Sequence, residues 1–241
     1  MTTFNIIQLA LLGILIAFGI YYVFTAFFGK EYQPLLWREL VKQGKVNRNL
    51  QKLESKYRDK DRFFNFWYQV NRLQKHNIPG AFAELGVYKG DTAEILHGMD
   101  NDREFLLFDT FKGFNESDLK NESGKAATYT RHSFADTSLE MVKQRLDSDK
   151  FKFYKGDFSE TSISVPEKKF ALVNMDADLY NPTKAGLEYF YPRMSKGGVI
   201  IVHDYNPDWP GIMKAVEEFM EDKSIPYVPL TDRDNSIMIF K

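Results

Sequence analysis

Seven side chains that could do chemistry stand where the chain's short apolar runs end: Glu84, Asp109, Asp157, Asp176, Asp178, His203 and Asp204. Carboxylates can take hydroxyl pairs, cationic groups or a hard cation such as Mg2+, which prefers oxygen ligands and keeps several waters. A neutral sugar or phenolic hydroxyl is a poor nucleophile. A metal that polarises it, or a base within hydrogen-bond reach, helps remove its proton. Asp178, His203 and His132 are the candidate bases. Asp176 and Asp204 would share one cleft if the apolar runs before them form neighbouring strands. Asp109 lies 25 residues after Glu84, near the offset at which an acidic residue takes ribose hydroxyls. One such residue is usually a loop or cap residue. Five consecutive strands ending this way point to a site, because ligands of open α/β sheets bind at that edge.

The elements that must position these residues alternate. Ala81–Leu85 reads as a buried strand, followed by a tight turn at Gly86 and Gly90 and a helix over Thr92–His97 capped by Asp91 or Thr92. Strand, glycine turn and helix N-terminus together suit a nucleotide, although the three-glycine dinucleotide fingerprint is missing. Further strands are expected at Glu104–Phe108, Phe151–Tyr154, Phe170–Met175 and Gly198–Val202, with a final pair at Tyr227–Leu230 and Ser236–Phe240. Helices are expected over Thr137–Leu146, Thr183–Tyr191 and Gly211–Met220. Phe111–Lys125 reads as a loop or lid. The alternation predicts an α/β domain with a mainly parallel sheet. Before it, Arg62–His76 has a broad apolar face and is expected to pack on the sheet; its aromatics could also wall an acceptor pocket.

The composition excludes little but excludes it firmly. There is no cysteine, hence no disulfide and no thiolate metal site, and a net charge of -1 gives no case for nucleic-acid binding. Asn5 to Phe28 carries no charge and is long enough to cross a bilayer. A cleaved signal peptide is the rival, weakened by the length of the run and the lack of a cleavage-like site. Tyr21, Tyr22 and Trp37 are expected at the interface. Lys30, Arg38, Lys42, Lys45 and Arg48 follow the span and none precedes it, so the positive-inside rule puts the C-terminal part in the cytoplasm. The basic run could lie against anionic lipid or be a plain solvated face. The sequons at Asn115 and Asn121 would matter only in a secretory lumen. The expected organisation is an anchor over residues 1–30, a polar helical juxtamembrane segment over 31–62, and a globular domain over 63–241.

The motifs Glu84-Leu-Gly-Val-Tyr-Lys-Gly90, Phe108-Asp-Thr-Phe-Lys-Gly113, Asp176-Ala-Asp-Leu-Tyr180, Tyr191-Pro-Arg193, Gly197-Gly198 and His203-Asp-Tyr205 come in order. With them the chain resembles the macrocin O-methyltransferase family from roughly Phe63 to Lys241. The resemblance implies a Rossmann-like class I methyltransferase fold, with a seven-stranded sheet ending in an antiparallel hairpin. It also implies Mg2+-assisted transfer of a methyl group from S-adenosyl-L-methionine to a hydroxyl, typically on a sugar of a natural product. Carried over, Glu84, Gly86 and Gly90 would line the methionine end of the cofactor, with Tyr88 in the same loop. Asp109 would hold the ribose beside Thr110 and Phe111, and Gly156, Asp157 and Phe158 would lie near the adenine. Asp176 and Asp204 would bind the metal, with Asp176 also beside the cofactor. The family usually has two adjacent aspartates where this chain has His203–Asp204, so His203 would replace a ligand, act as the base, or mark a weak or absent metal.

The acceptor would be a small molecule or glycan with a hydroxyl, selected by the lid (Phe111–His132) and the N-terminal helices; homo-oligomerisation is left open. A membrane-anchored enzyme acting on a glycan or glycolipid at the cytoplasmic face is the leading expectation. A methyltransferase of a lipid-soluble phenol or quinol and a tethered protein without catalysis are the alternatives. A nicotinamide oxidoreductase is weaker because of the missing glycines.

Overall fold

The structure, a computed structural model, describes residues 2–28, 33–221 and 225–241. The first helix, α1, spans Thr3–Phe28. Lys30, expected in the basic flank, lies outside the described residues. Helices α2 (Leu35–Lys42), α3 (Arg48–Lys56) and α4 (Lys60–Lys75) follow. After them the order is β1 (Ala81–Leu85), α5 (Asp91–Met99), β2 (Phe105–Asp109), α6 (Leu139–Arg145), β3 (Phe151–Lys155) and α7 (Phe158–Thr161). It continues with β4 (Phe170–Met175), α8 (Tyr180–Phe190), β5 (Met194–Val202), α9 (Pro210–Glu221), β6 (Tyr227–Pro229) and β7 (Ile237–Phe240).

One seven-stranded sheet has the order β3-β2-β1-β4-β5-β7-β6. β1 to β5 pair in parallel; β7 is antiparallel to both β5 and β6. The central strands are buried on both faces, and side chains alternate between two cores. Ala83, Leu106, Phe108, Val173 and Ile200 join Leu187, Phe190, Ile212 and Val216 on one side. Phe82, Phe105, Leu107, Leu172 and Ile201 join Phe66, Val70, Leu73 and Leu96 on the other. The sheet runs outward in both directions from β1 and β4, which puts the topological switch at the C-terminal ends of those two strands.

The expected helix over Thr183–Tyr191 begins earlier, at Tyr180. Pro182 sits in its first turn, where no N–H partner is required. The helix expected over Thr137–Leu146 is α6, and Ser138 caps it by accepting from Met141 N at 3.1 Å.

Two expectations about the N-terminal part are corrected. Trp37 is no interfacial residue: it is 1% exposed and packs edge-on against Phe63, Phe64 and Trp67. The segment set apart as polar is part of the globular body, because Trp37, Val46 and Leu50 share a core with Phe63, Phe64, Trp67 and Ile95. Phe63, Phe64, Phe66 and Trp67 of α4 are buried in the cores and do not wall the main cavity, so they are packing residues.

Candidate active site

A cavity of about 490 Å³ opens at the switch point, within the range of small-molecule sites. Its floor is the end of β1. Glu84, 2% exposed, accepts from Asn174 Nδ2 at 3.0 Å through Oε1, while Oε2 is buried without a hydrogen-bond partner. Burial pushes this carboxyl well above the usual range. A buried carboxylate oxygen left over in a cavity fits a cationic group on a ligand, since leaving it unpaired is costly.

The turn after β1 is braced from β2. Asp109 Oδ2 accepts from Val87 N at 2.7 Å and Tyr88 N at 2.9 Å, and Oδ1 accepts from Phe111 N at 2.6 Å. A carboxylate offers about four lone-pair sites, so Asp109 keeps roughly one for a ribose hydroxyl. Gly86 lines the cavity, yet the sheet is what demands glycine there. Its φ is +88°, and a Cβ would stand 1.9 Å from the carbonyl oxygen of Asp176. Gly90 does not line the cavity; its missing Cβ would point at Leu146 and Val142. Phe111 is also outside, 2% exposed in the opposite core. Tyr88 lines the cavity and donates to Asp136 Oδ1 at 2.6 Å. Thr110, Gly156, Asp157 and Phe158 line it too. Asp157 is partly spent, accepting from Ser159 N at 2.8 Å and Asn115 Nδ2 at 2.9 Å.

On the far side stand Asp176, Asp178 and Asp204, with one oxygen from each within 4.8 Å of the others. Asp178 and Asp204 both have φ near +60°, a strained setting for a non-glycine residue. Burial pushes all three carboxyls up. Asp178 rises well above the usual range, helped by Asp176 and Asp204, and Asp204 is pushed up to about 8 by burial and then by Asp176. Three crowded carboxylates raise one another's proton affinity, and an all-oxygen donor set suits Mg2+.

His203 is not part of this cluster, which corrects the expectation that it ligates the metal or acts as the base. It is 2% exposed; Nδ1 lies 2.6 Å from Ser236 Oγ and Nε2 2.6 Å from Asn174 Oδ1. Both ring nitrogens are used, and burial holds the ring neutral, well below the usual histidine pKa. The oxygen that completes the cluster is from Asp178. His132 is also corrected as a base: it is exposed on the lid, outside the cavity lining, and accepts from Arg131 Nε at 3.2 Å.

Two residues that the sequence did not single out reach the site. Arg62, at the start of α4, lies 3.8 Å from Asp176, 3.4 Å from Asp232 and 2.9 Å from Asp234. Tyr57, between α3 and α4, lines the cavity, and burial pushes its hydroxyl up to about 12. The lid closes the outer side with Phe114, Lys125, Tyr129 and Phe134. Tyr129 donates to Asp178 Oδ1 at 3.5 Å, and Lys125 Nζ sits 4.3 Å from the Trp209 ring centroid. Asn115, one of the sequon residues, lies in this lining.

The family model described as Macrocin-O-methyltransferase (TylF) matches residues 49–241. The chain belongs to this family. The match begins within α3 rather than near Phe63, as the shared core of α3, α4 and α5 requires. Among curated relatives, the demethyldecarbamoylnovobiocin O-methyltransferase of Streptomyces niveus is 31% identical over 172 residues, 66% of this chain and 65% of that protein. The mycinamicin III 3''-O-methyltransferase of Micromonospora griseorubida is 27% identical, over 68% of this chain and 69% of its own length. The chain thus spans about two thirds of the curated relatives it matches. Among solved structures, the O-methyltransferase NovP superposes with a TM-score of 0.66 at 27% identity, covering 76% of this chain and 80% of that one. The calicheamicin methyltransferase CalS11 gives 0.59 at 25%, covering 86% of each. These likenesses confirm the class I methyltransferase fold expected from the sequence.

Proposed function

We propose that the protein is an S-adenosyl-L-methionine-dependent O-methyltransferase that uses Mg2+ and is held to a membrane by α1. The observation that carries the reading is that one cavity joins the half-paired carboxylate of Glu84 to the cluster of Asp176, Asp178 and Asp204. S-adenosylmethionine, when bound, supplies a methyl carbon already activated by its sulfonium. Glu84 would hold the cofactor's ammonium, and Asp109, Asp157 and Phe158 would line the rest of its bed. A divalent cation held by Asp176 and Asp204 would polarise the acceptor oxygen and let the crowded carboxylates ionise at neutral pH. Asp178, beside the pair that would hold the cation and 3.5 Å from the Tyr129 hydroxyl on the lid, is placed to take the acceptor proton. The lid orients the acceptor over it. Alignment of this kind is worth about 7–11 kcal/mol.

The acceptor is a hydroxyl of a small molecule or glycan, and a sugar suits the aromatic lid. One relative, from Streptomyces olivaceus and 28% identical, carries a rhamnosyl group in its name. The span from Thr3 to Thr25, with mean hydropathy 2.3, is long and apolar enough to cross a bilayer. Its basic flank favours a cytoplasmic domain.

The test is calorimetry of the full chain in detergent with S-adenosylmethionine, with and without Mg2+, followed by labelled-methyl transfer into glycan and lipid extracts. Cofactor binding and methylation of a hydroxyl are expected. Asp178→Asn should keep cofactor binding and lose about 10²–10⁴-fold in turnover. A folded chain that binds no cofactor under either condition would refute the reading.

A further inference from the structure

We propose that α2 and α3 form a cationic, leucine-tipped foot that lies on an anionic bilayer surface; the proposal rests on α1 being a bilayer span. Both helices have one face committed to the protein. Trp37, Leu40 and Val41 of α2, and Leu50 and Leu53 of α3, pack into the aromatic core with Phe63, Phe64 and Trp67. The opposite faces are exposed and basic. Leu35, Arg38 and Lys42 share one side of α2 at helical spacing, and Arg48, Lys52 and Lys56 form a stripe on α3. Leu35 is 65% exposed and Leu36 49%.

The charge on this surface is one-sided. Within residues 33–58 the carboxylates are Glu39, which pairs with Lys42 at 3.0 Å, and Glu54, which is buried. Among the described residues, no carboxylate stands within ion-pair distance of Arg38, Lys45, Arg48, Lys52 or Lys56. An ordinary solvated helix face intersperses signs, as α9 does with Lys214, Glu217 and Glu218.

The tether supplies the occupant. Phe28 ends α1 and Leu35 begins α2. At about 3.6 Å per residue the link cannot exceed roughly 25 Å even fully extended. The foot is therefore confined close to the lipid headgroups by its own chain. Attraction of Lys and Arg to anionic lipid acts within about a Debye length, ~8–10 Å at physiological salt. Exposed leucines beside the cations can then enter the interfacial layer. Because Tyr57 directly follows α3 and lines the cavity, a docked foot would hold the cavity at the lipid surface, where a lipid-borne hydroxyl is available.

The chain has no cysteine, so a single introduced one can be labelled cleanly. Full-length Leu35→Cys, carrying an environment-sensitive fluorophore, is placed in nanodiscs of phosphatidylcholine or of an equal mixture with phosphatidylglycerol. Quenching by lipids brominated near the headgroup is then read. The expected result is about threefold stronger quenching in the anionic discs, abolished by high salt or by adding Arg48→Glu and Lys52→Glu, because the attraction is electrostatic and screened. Equal quenching in both discs, or none in the anionic ones, overturns the foot. A separate Ile14→Cys label reports on α1 with acyl-chain-brominated lipid. If it is quenched in both discs while Leu35→Cys is not, only the foot fails. If it is quenched in neither, the spanning reading fails and takes the foot with it.

Discussion

Arg62 holds the acidic end of the site together, and replacing it with methionine removes its charge while keeping most of its apolar volume. Its side chain is 12% exposed, and it faces Asp176, Asp232 and Asp234, with Asp59 at 4.0 Å. Asp232 is fully enclosed and hydrogen-bonds Ser236 N at 2.7 Å. Removing one member of a buried ion pair typically costs about 3–5 kcal/mol, because the partner charge is left uncompensated. For a domain of this size each kcal/mol moves Tm by roughly 2–4 °C, so Arg62→Met should lower Tm by roughly 6–20 °C. Thermal unfolding of the full chain in detergent, followed by circular dichroism at pH 7, reads this directly. The deficit should shrink as pH falls and Asp176, whose carboxyl is raised by burial, takes up its proton and needs no partner. Adding Asp232→Asn should recover about 1–3 kcal/mol, the coupling expected between residues in contact. A Tm within about 2 °C of wild type at pH 7, or a double variant no better than the single one, would refute the view that Arg62 neutralises this cluster.

Glu84→Gln should weaken S-adenosylmethionine binding about tenfold to a hundredfold, the worth of a charge-assisted hydrogen bond. Stability of the free protein should be unchanged or slightly higher, because burial already disfavours the charged form; unaltered affinity by calorimetry would remove the ammonium role. The metal-free protein should lose stability as pH rises. The Asp204 carboxyl is raised in the folded state to about 8, so its contribution is complete below the ordinary carboxylate pKa and is lost as pH climbs through about 8. Tm in chelator should therefore fall between pH 5 and pH 8 by about several degrees, and Mg2+ should restore it most at the alkaline end. A flat profile in chelator would contradict the crowding of the three aspartates.

Much of the sheet is legible because buried parallel strands are short apolar runs bounded by polar residues. Ala81–Leu85 and Phe170–Met175 are found as expected, and the other strands differ only at their ends. The acidic residues at strand exits are legible for the same reason, since the end of a strand is a local property. The motif order carried the family, and Asp176 and Asp204 come together because β4 and β5 are neighbours.

Other features were set by contacts that no local window contains. The fate of His203 was decided by Ser236 and Asn174, which enclose both of its ring nitrogens. Arg62 is one cation in a run of many, and its inward turn depends on Asp232 and Asp234, far along the chain. Trp37, plausible at a lipid interface by type alone, is claimed by an aromatic-rich core built from four helices. By itself, then, the sequence determined the strands, the carboxylates at their ends and the apolar N-terminal run, because hydrophobic periodicity and residue chemistry are local. Only the tertiary structure decided which carboxylates Arg62 pairs with, which third group completes the cluster and which histidine is spent, because burial and pairing are set by distant neighbours.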